Sequence, residues 1–302
     1  MQKDTTKKQI PYFIMAVLTV IVWGTTFVST KILLDWKLTP VDIFFYRFLL
    51  AYAAIWIFCP KRFWADTVKD EVFFFCAGLT GGSLYFIAEN TALDITLASN
   101  VSLIVSIAPL VTAFLSHLFV KGEKLRSTLI YGSLLALTGV AFVVYNGNFI
   151  LKIKPTGDIL ALTSAVMWGL YTVILKRLDT RYPILFITRK VFFYGIVTIL
   201  PVFCISPLTT DTAILFRPAV WGNLLFLGFI ASMLCYILWN VAVKHLGAIR
   251  TTNYIYFMPI VTLITSALVI HEPITPIALS GAALILGGVY LAESKRNQPS
   301  DF

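Results

Sequence analysis

Charge, histidine and cysteine are all scarce in this chain, and each shortage closes off a kind of chemistry. Charged residues make up 13% of the 302 positions, where ordinary soluble domains carry about a quarter. With 58% hydrophobic residues and a mean hydropathy of +0.84, an ordinary soluble domain is excluded. His117, His245 and His271 are scattered without a metal-ligand spacing, and Cys59, Cys76, Cys204 and Cys235 form no Cys-x-x-Cys pair. No metal, disulfide or other cofactor is expected, and the cysteines read as packing residues. No phosphate-binding loop, nucleophile elbow, His-Glu-x-x-His helix or dinucleotide fingerprint occurs. The chain leaves no room for an ATPase domain, so any work it does must draw on a solute or ion gradient.

The apolar residues come in blocks of about 17–25, the length that crosses a hydrocarbon core as a helix. The short alternating segments of a β-barrel are missing. Ten spans are expected, near 12–34, 41–59, 72–92, 96–119, 128–146, 158–176, 184–205, 220–240, 250–270 and 275–292. The fold class is therefore all-α and polytopic, with the lipid bilayer as its surroundings. The first block is too long for the core of a signal peptide and is expected to stay in the mature protein.

The net charge of +9 is a topology signal, not a nucleic-acid footprint. With the N-terminus inside, sixteen Lys and Arg fall on inner segments, from Lys3 and Lys61 to Arg250 and Arg296. Four (Lys37, Lys152, Lys154 and Arg217) fall outside, and Lys31, Arg47, Arg189 and Lys190 lie within spans. This bias places both termini in the cytoplasm, in a cell membrane.

The chain also repeats itself. Asn90-Thr91-Ala92-Leu93 returns as Asn240-Val241-Ala242-Val243, Pro109 as Pro259, Gly78 and Gly82 as Gly228 and Ser232, and Trp23-Gly24 as Trp168-Gly169. Glycines seven apart, Gly132/Gly139 and Gly281/Gly288, close each half. The expected organisation is a five-helix repeat over 1–146, a polar linker over 147–157, and a second repeat over 158–302. Five spans per repeat invert the second against the first, an arrangement that places a substrate site at the repeat interface and supplies two states of access.

Trp23-Gly24-Thr25-Thr26-Phe27 with Lys31, then Tyr46-Arg47-Phe48, Ala98-Ser99-Asn100 leading to Pro109 and Glu123, and the partner stretch to Pro259 and Glu272, resemble EamA-type members of the drug/metabolite transporter superfamily. The likeness runs over about residues 12–292. It implies ten helices, both termini inside, export of amino acids or other small metabolites, and a central cavity with spans five and ten peripheral.

Glu89 is the one acidic residue well inside a span. A carboxylate costs several kcal/mol in lipid, so it must face protein or water. It is either a substrate or proton site or a structural partner. Arg47 lies about 10 Å below the outer surface at 1.5 Å per residue, at a depth like that of Glu89, and the two are expected to pair as a gate. Arg189 matches Arg47 in the second half, where Trp239 replaces Glu89. It either meets a substrate anion or snorkels to the inner interface, as Lys190 is expected to do. Asn90, Asn240 and Asn100 serve as interhelical glue or as substrate ligands. Trp23, Tyr85, Trp168, Tyr171, Tyr236, Trp239 and Tyr256 are expected to wall a cavity or to pack helices, with Trp168 and Tyr85 farthest from the interface belts. Pro109 and Pro259 should kink their spans and suit a hinge.

These features point to a transporter of small molecules working without nucleic acid or an ATPase. A nucleotide-sugar or sugar-phosphate exchanger would want more cations at the cavity than Arg189 and Lys190. A membrane-embedded enzyme would need clustered Asp/His or Ser/His within the spans, and an inverted duplication with matched prolines is hard to motivate for a static membrane protein, though nothing in the sequence excludes one.

Overall fold

A computed structural model describes residues 2–60, 63–95, 98–120, 127–145, 154–178, 180–269 and 275–294. Among them the regular structure is helical. The first half runs α1 (Gln2–Asp35), α2 (Pro40–Phe58), α3 (Val68–Ile95), α4 (Ala98–Val105), α5 (Ala108–Phe119) and α6 (Ser127–Tyr145). The second runs α7 (Pro155–Leu178), α8 (Ile184–Cys204), α9 (Pro218–Leu246), α10 (Ala248–Thr252), α11 (Met258–Val269) and α12 (Pro276–Ser294). A one-turn helix, Thr212–Leu215, precedes α9.

Six of these helices, α1, α2, α3, α7, α8 and α9, are long and apolar enough to cross a membrane. Shorter apolar helices cover Ala108–Phe119, Ser127–Val143 and Pro276–Ala292. The expected spans at 96–119 and 250–270 are interrupted rather than merely kinked. α4 ends in a turn at Ser106–Ile107 and α5 starts at Ala108; a 3₁₀ stretch, Asn253–Phe257, separates α10 from α11. The prolines explain both breaks. Pro109 and Pro259 each fall at the second residue of a restarted helix, where the missing N–H needs no intrahelical partner. The linker expected over 147–157 is shortened, because α7 already begins at Pro155; residues 146–153 lie outside the described residues.

Local sequence sets the helix starts. Thr39 caps α2 in a capping box with Asp42, and Pro40 is its first residue. Thr67 caps α3 through the Asp70 amide at 3.1 Å. Inside α3 a π-turn runs over Leu79–Ser83, with Gly82 off helical geometry at φ −125°, ψ −106°. Its partner in α9 is a π-helical stretch over Phe226–Leu234. Such turns concentrate at functional sites.

The glycine pairs act by close approach. A Cβ on Gly139 would fall 2.5 Å from the Gly281 carbonyl oxygen, and one on Gly281 would fall 2.6 Å from that of Gly139. This crossing seats α6 against α12, around a small core of Ala136, Val140, Val143, Tyr256, Ile285 and Val289. The larger core joins α1, α2, α3, α7, α8 and α9, with residues of both halves intermixed.

Candidate functional site

Both halves contribute to the lining of one chamber. Trp23 and Thr26 come from α1, Arg47 from α2, and Tyr85, Phe86 and Glu89 from α3. Trp168 comes from α7 and Tyr236 from α9. The breaks before the two prolines supply the apolar remainder, Val105 and Ala108 on one side and Ile255 and Met258 on the other.

Two opposite charges face this space. The Arg47 Nε–H donates to Ser232 Oγ at 2.9 Å, and its guanidinium carbon lies 4.2 Å from the Phe86 ring centroid. Glu89 Oε1 accepts from the Tyr85 hydroxyl at 2.7 Å. Arg47 and Glu89 are not within the 4 Å of an ion pair. The expected Arg47–Glu89 pair is therefore corrected: each is held by a neutral partner, and the space between them belongs to the chamber. Helix spacing fixes depth along a span, but does not by itself bring two side chains into contact.

Aromatic rings surround the charges. Trp23 meets Trp168 edge-on at 5.1 Å and Trp239 at 5.0 Å. Trp168 lies 5.2 Å from Tyr85 and 5.3 Å from Tyr171. Tyr236 stands 6.0 Å from Trp23 and 6.1 Å from Trp168.

Trp23, Tyr85, Glu89 and Trp168 thus line the chamber with Arg47, and Tyr171 and Trp239 form a layer behind them. The Tyr171 hydroxyl donates to Asn240 Oδ1 at 2.8 Å, and Asn240 Nδ2 donates to Thr188 Oγ1 at 2.9 Å. Asn90 Nδ2 donates to the Pro40 carbonyl at 3.2 Å. Of the two readings of these amides, the contacts favour glue. The Asn100 side chain lies outside the described residues. Tyr256 is displaced from the expected wall, because the 3₁₀ stretch turns it into the α6–α12 core. Thr26, Phe86, Ser232 and the residues at the proline breaks were not legible as site residues, although the prolines themselves marked where the breaks would fall.

Arg189 does not reach the chamber. It donates to the Cys59 carbonyl and lies 4.7 Å from the Trp56 ring. Neither Arg189 nor Lys190 snorkels, since both are buried. Lys190 is ion-paired with Glu71, whose Oε1 also accepts from the Tyr194 hydroxyl. The Phe63, Trp64 and Tyr194 rings stand 4.8 to 5.1 Å from its ammonium. Alongside, Arg181 bonds both Asp70 oxygens at 2.8 and 3.0 Å, and the Tyr182 hydroxyl donates to Asp70 at 2.9 Å. Burial, with Asp70 beside it, raises the Tyr182 pKa and keeps it a donor. These contacts tie the α3 start in the first half to the α7–α8 segment in the second. At the opposite end, Asp42 accepts from the Thr209 amide and hydroxyl at 3.0 and 2.7 Å.

A multi-pass helical membrane protein whose two halves together wall a largely apolar, aromatic chamber with Arg47 and Glu89 facing it has the build of a membrane transporter. The description of an EamA-like transporter family matches the chain twice, over residues 10–145 and 155–293. An uncharacterized transporter of Archaeoglobus fulgidus is 26% identical over 94% of this chain and 98% of its own. A probable terminal-alkyne amino-acid exporter of Streptantibioticus cattleyicolor is 28% identical over 91% of each chain. A probable amino-acid metabolite efflux pump of Escherichia coli is 24% identical, over 92% of this chain and 93% of its own. In fold, a crystal structure superposes with a TM-score of 0.72 at 19% identity, over 95% of this chain and 99% of that one. The chain belongs to the EamA-like transporter family.

Proposed function

We propose that the protein exports a small zwitterionic metabolite, an amino acid or a close relative, by alternating access. The observation that carries this is the chamber itself. One guanidinium and one carboxylate face it without neutralising each other, within walls of Trp23, Tyr85, Trp168 and Tyr236. Arg47 suits a substrate carboxylate and Glu89 a substrate ammonium, and the rings suit an apolar side chain. The names of the Streptantibioticus cattleyicolor and Escherichia coli relatives agree with this class.

In this reading the chain has ten spans in two inverted five-helix repeats, 1–146 and 158–302, and the halves rock about the chamber. The positive-inside rule puts both termini and the Asp70–Arg181 end in the cytoplasm, in the cell membrane. Flux is driven by a solute or proton gradient, with Glu89 as the candidate proton site. The phosphate-carrying alternative loses support, because Arg189 and Lys190 are engaged away from the chamber.

Counterflow in proteoliposomes tests the reading. Labelled neutral amino acids with apolar side chains should accumulate against unlabelled amino acid, and nucleotide sugars should not compete. If nucleotide sugars drive counterflow and amino acids do not, the substrate assignment fails.

A further inference from the structure

The two π-turns hold matching carbonyls that are bonded in different ways. In the register that pairs Gly78 with Gly228 and Asn90 with Asn240, Gly81 falls on Ala231 and Phe86 falls on Tyr236. Trp23 and Trp168 are likewise matched. The Trp23 indole N–H donates across the halves to the Ala231 carbonyl at 2.9 Å. Matching bonds would have Trp168 donate to the Gly81 carbonyl. Instead the Tyr236 hydroxyl occupies that carbonyl, and the Trp168 Nε1 is buried without a partner. A buried unpaired donor is costly and calls for an explanation.

The geometry supports such an arrangement. α7 passes directly over Gly81, where a Cβ would fall 2.4 Å from the Tyr171 ring, one turn beyond Trp168. Tyr236 is nearly equidistant from the two indoles, at 6.0 and 6.1 Å. The widened π-turn skews the i→i−4 ladder, which leaves carbonyls open to outside donors.

We propose that the two indoles exchange on these two carbonyls as the transporter changes state. In the state described, Trp23 holds the Ala231 carbonyl and Tyr236 covers that of Gly81. In the oppositely open state, Trp168 takes the Gly81 carbonyl, Tyr236 is displaced and Trp23 lets go. Because Phe86 stands where Tyr236 has its twin, no hydroxyl replaces Trp23 on Ala231. The exchange is therefore unequal, and Tyr236 biases the protein toward the state described. The proposal rests on the alternating-access reading but not on any one substrate.

Spin-label distances test it without a substrate. With the four cysteines replaced by serine, one label pair at exposed Lys69 and Thr180 reports one end, and a pair at exposed Lys37 and Thr210 reports the other. Tyr236→Phe should shift the ratio of states toward the opposite one by roughly fivefold, the equivalent of one net hydrogen bond. Phe86→Tyr, which offers Ala231 a hydroxyl, should shift it the same way. Adding Trp168→Phe to Tyr236→Phe should cancel the shift. Unchanged ratios in both single variants, or a shift that survives Trp168→Phe, overturn the exchange. If the unsubstituted protein gives one distance at each end under all conditions, alternating access and the exchange fall together. Two distances whose shares ignore these variants remove the exchange alone.

Discussion

Arg47 and Arg189 hold matching places in the two halves, and their surroundings have diverged. Arg47 is buried beside the chamber, bonded to Ser232 and stacked on Phe86. Arg189 is equally buried but is bound to the Cys59 carbonyl and lies over Trp56. The divergence reflects different partners at the two ends. Near Arg189, Lys190 pairs with Glu71, and Arg181 with Asp70. In the matched register, Asp70 and Glu71 correspond to Val220 and Trp221, and Trp221 is half exposed. A duplicated backbone has thus received a charged clasp at one end, while only the other arginine is left facing the chamber. A two-state machine needs its halves alike enough to exchange roles and unlike enough to prefer one state.

The sharpest way to break this comparison is to truncate each arginine in turn. Arg47→Ala should weaken substrate binding by about 3 kcal/mol, roughly a hundredfold, since it removes the one cation among the described residues that line the chamber. Arg189→Ala should lower thermal stability while leaving the substrate concentration for half-maximal counterflow unchanged. Equal losses of affinity in both variants would abolish the distinction between a binding arginine and a structural one.

The clasp gives the next largest effect. Lys190→Met keeps the apolar stem but leaves Glu71 without its cation, a loss of about 2 kcal/mol, less than for a fully buried pair because Glu71 is partly exposed. The Asp70–Arg181 end should loosen, seen as a longer distance between labels at Lys69 and Thr180, while the Lys37–Thr210 distance shortens or stays. Loosening at both ends would mean that Lys190 supports the whole bundle instead of one gate.

Much of this was legible from the residues alone. Trp23, Tyr85, Glu89 and Trp168 were placed in the chamber by depth, polarity and repetition, and Pro109 and Pro259 located the two helix breaks. Contacts that depend on helix rotation were not legible. Arg47 and Glu89 share a depth yet meet different partners, and Tyr256 was turned into the α6–α12 core by a 3₁₀ stretch that its sequence does not announce. The π-turn in α3 has a cue in Gly81-Gly82, but the one in α9 lacks such a glycine pair and carries only the repeated Gly228 and Ser232. Arg189 was misjudged because its partners, the Cys59 carbonyl and Trp56, come from the far end of α2 and are brought near only by the fold.

The smallest expected effect returns to a matched pair, Asn90 and Asn240. Asn240 joins three helices, accepting from Tyr171 on α7 and donating to Thr188 on α8. Asn90 donates only to the Pro40 carbonyl, and its own Oδ1 is buried without a partner. Interhelical bonds in a bilayer average about 0.6 kcal/mol each, because the separated helices also find partners. Asn240→Leu loses two such bonds and strands the Tyr171 hydroxyl directly behind Trp168, so a loss of about 1 kcal/mol and a shifted Trp168 fluorescence are expected. Asn90→Leu loses one longer bond and removes an unpaired acceptor, which leaves stability nearly unchanged. Thermal unfolding in detergent measures both. If Asn90→Leu proved the more damaging, Asn90 would have to work elsewhere in the transport cycle, in a contact that the present state does not form.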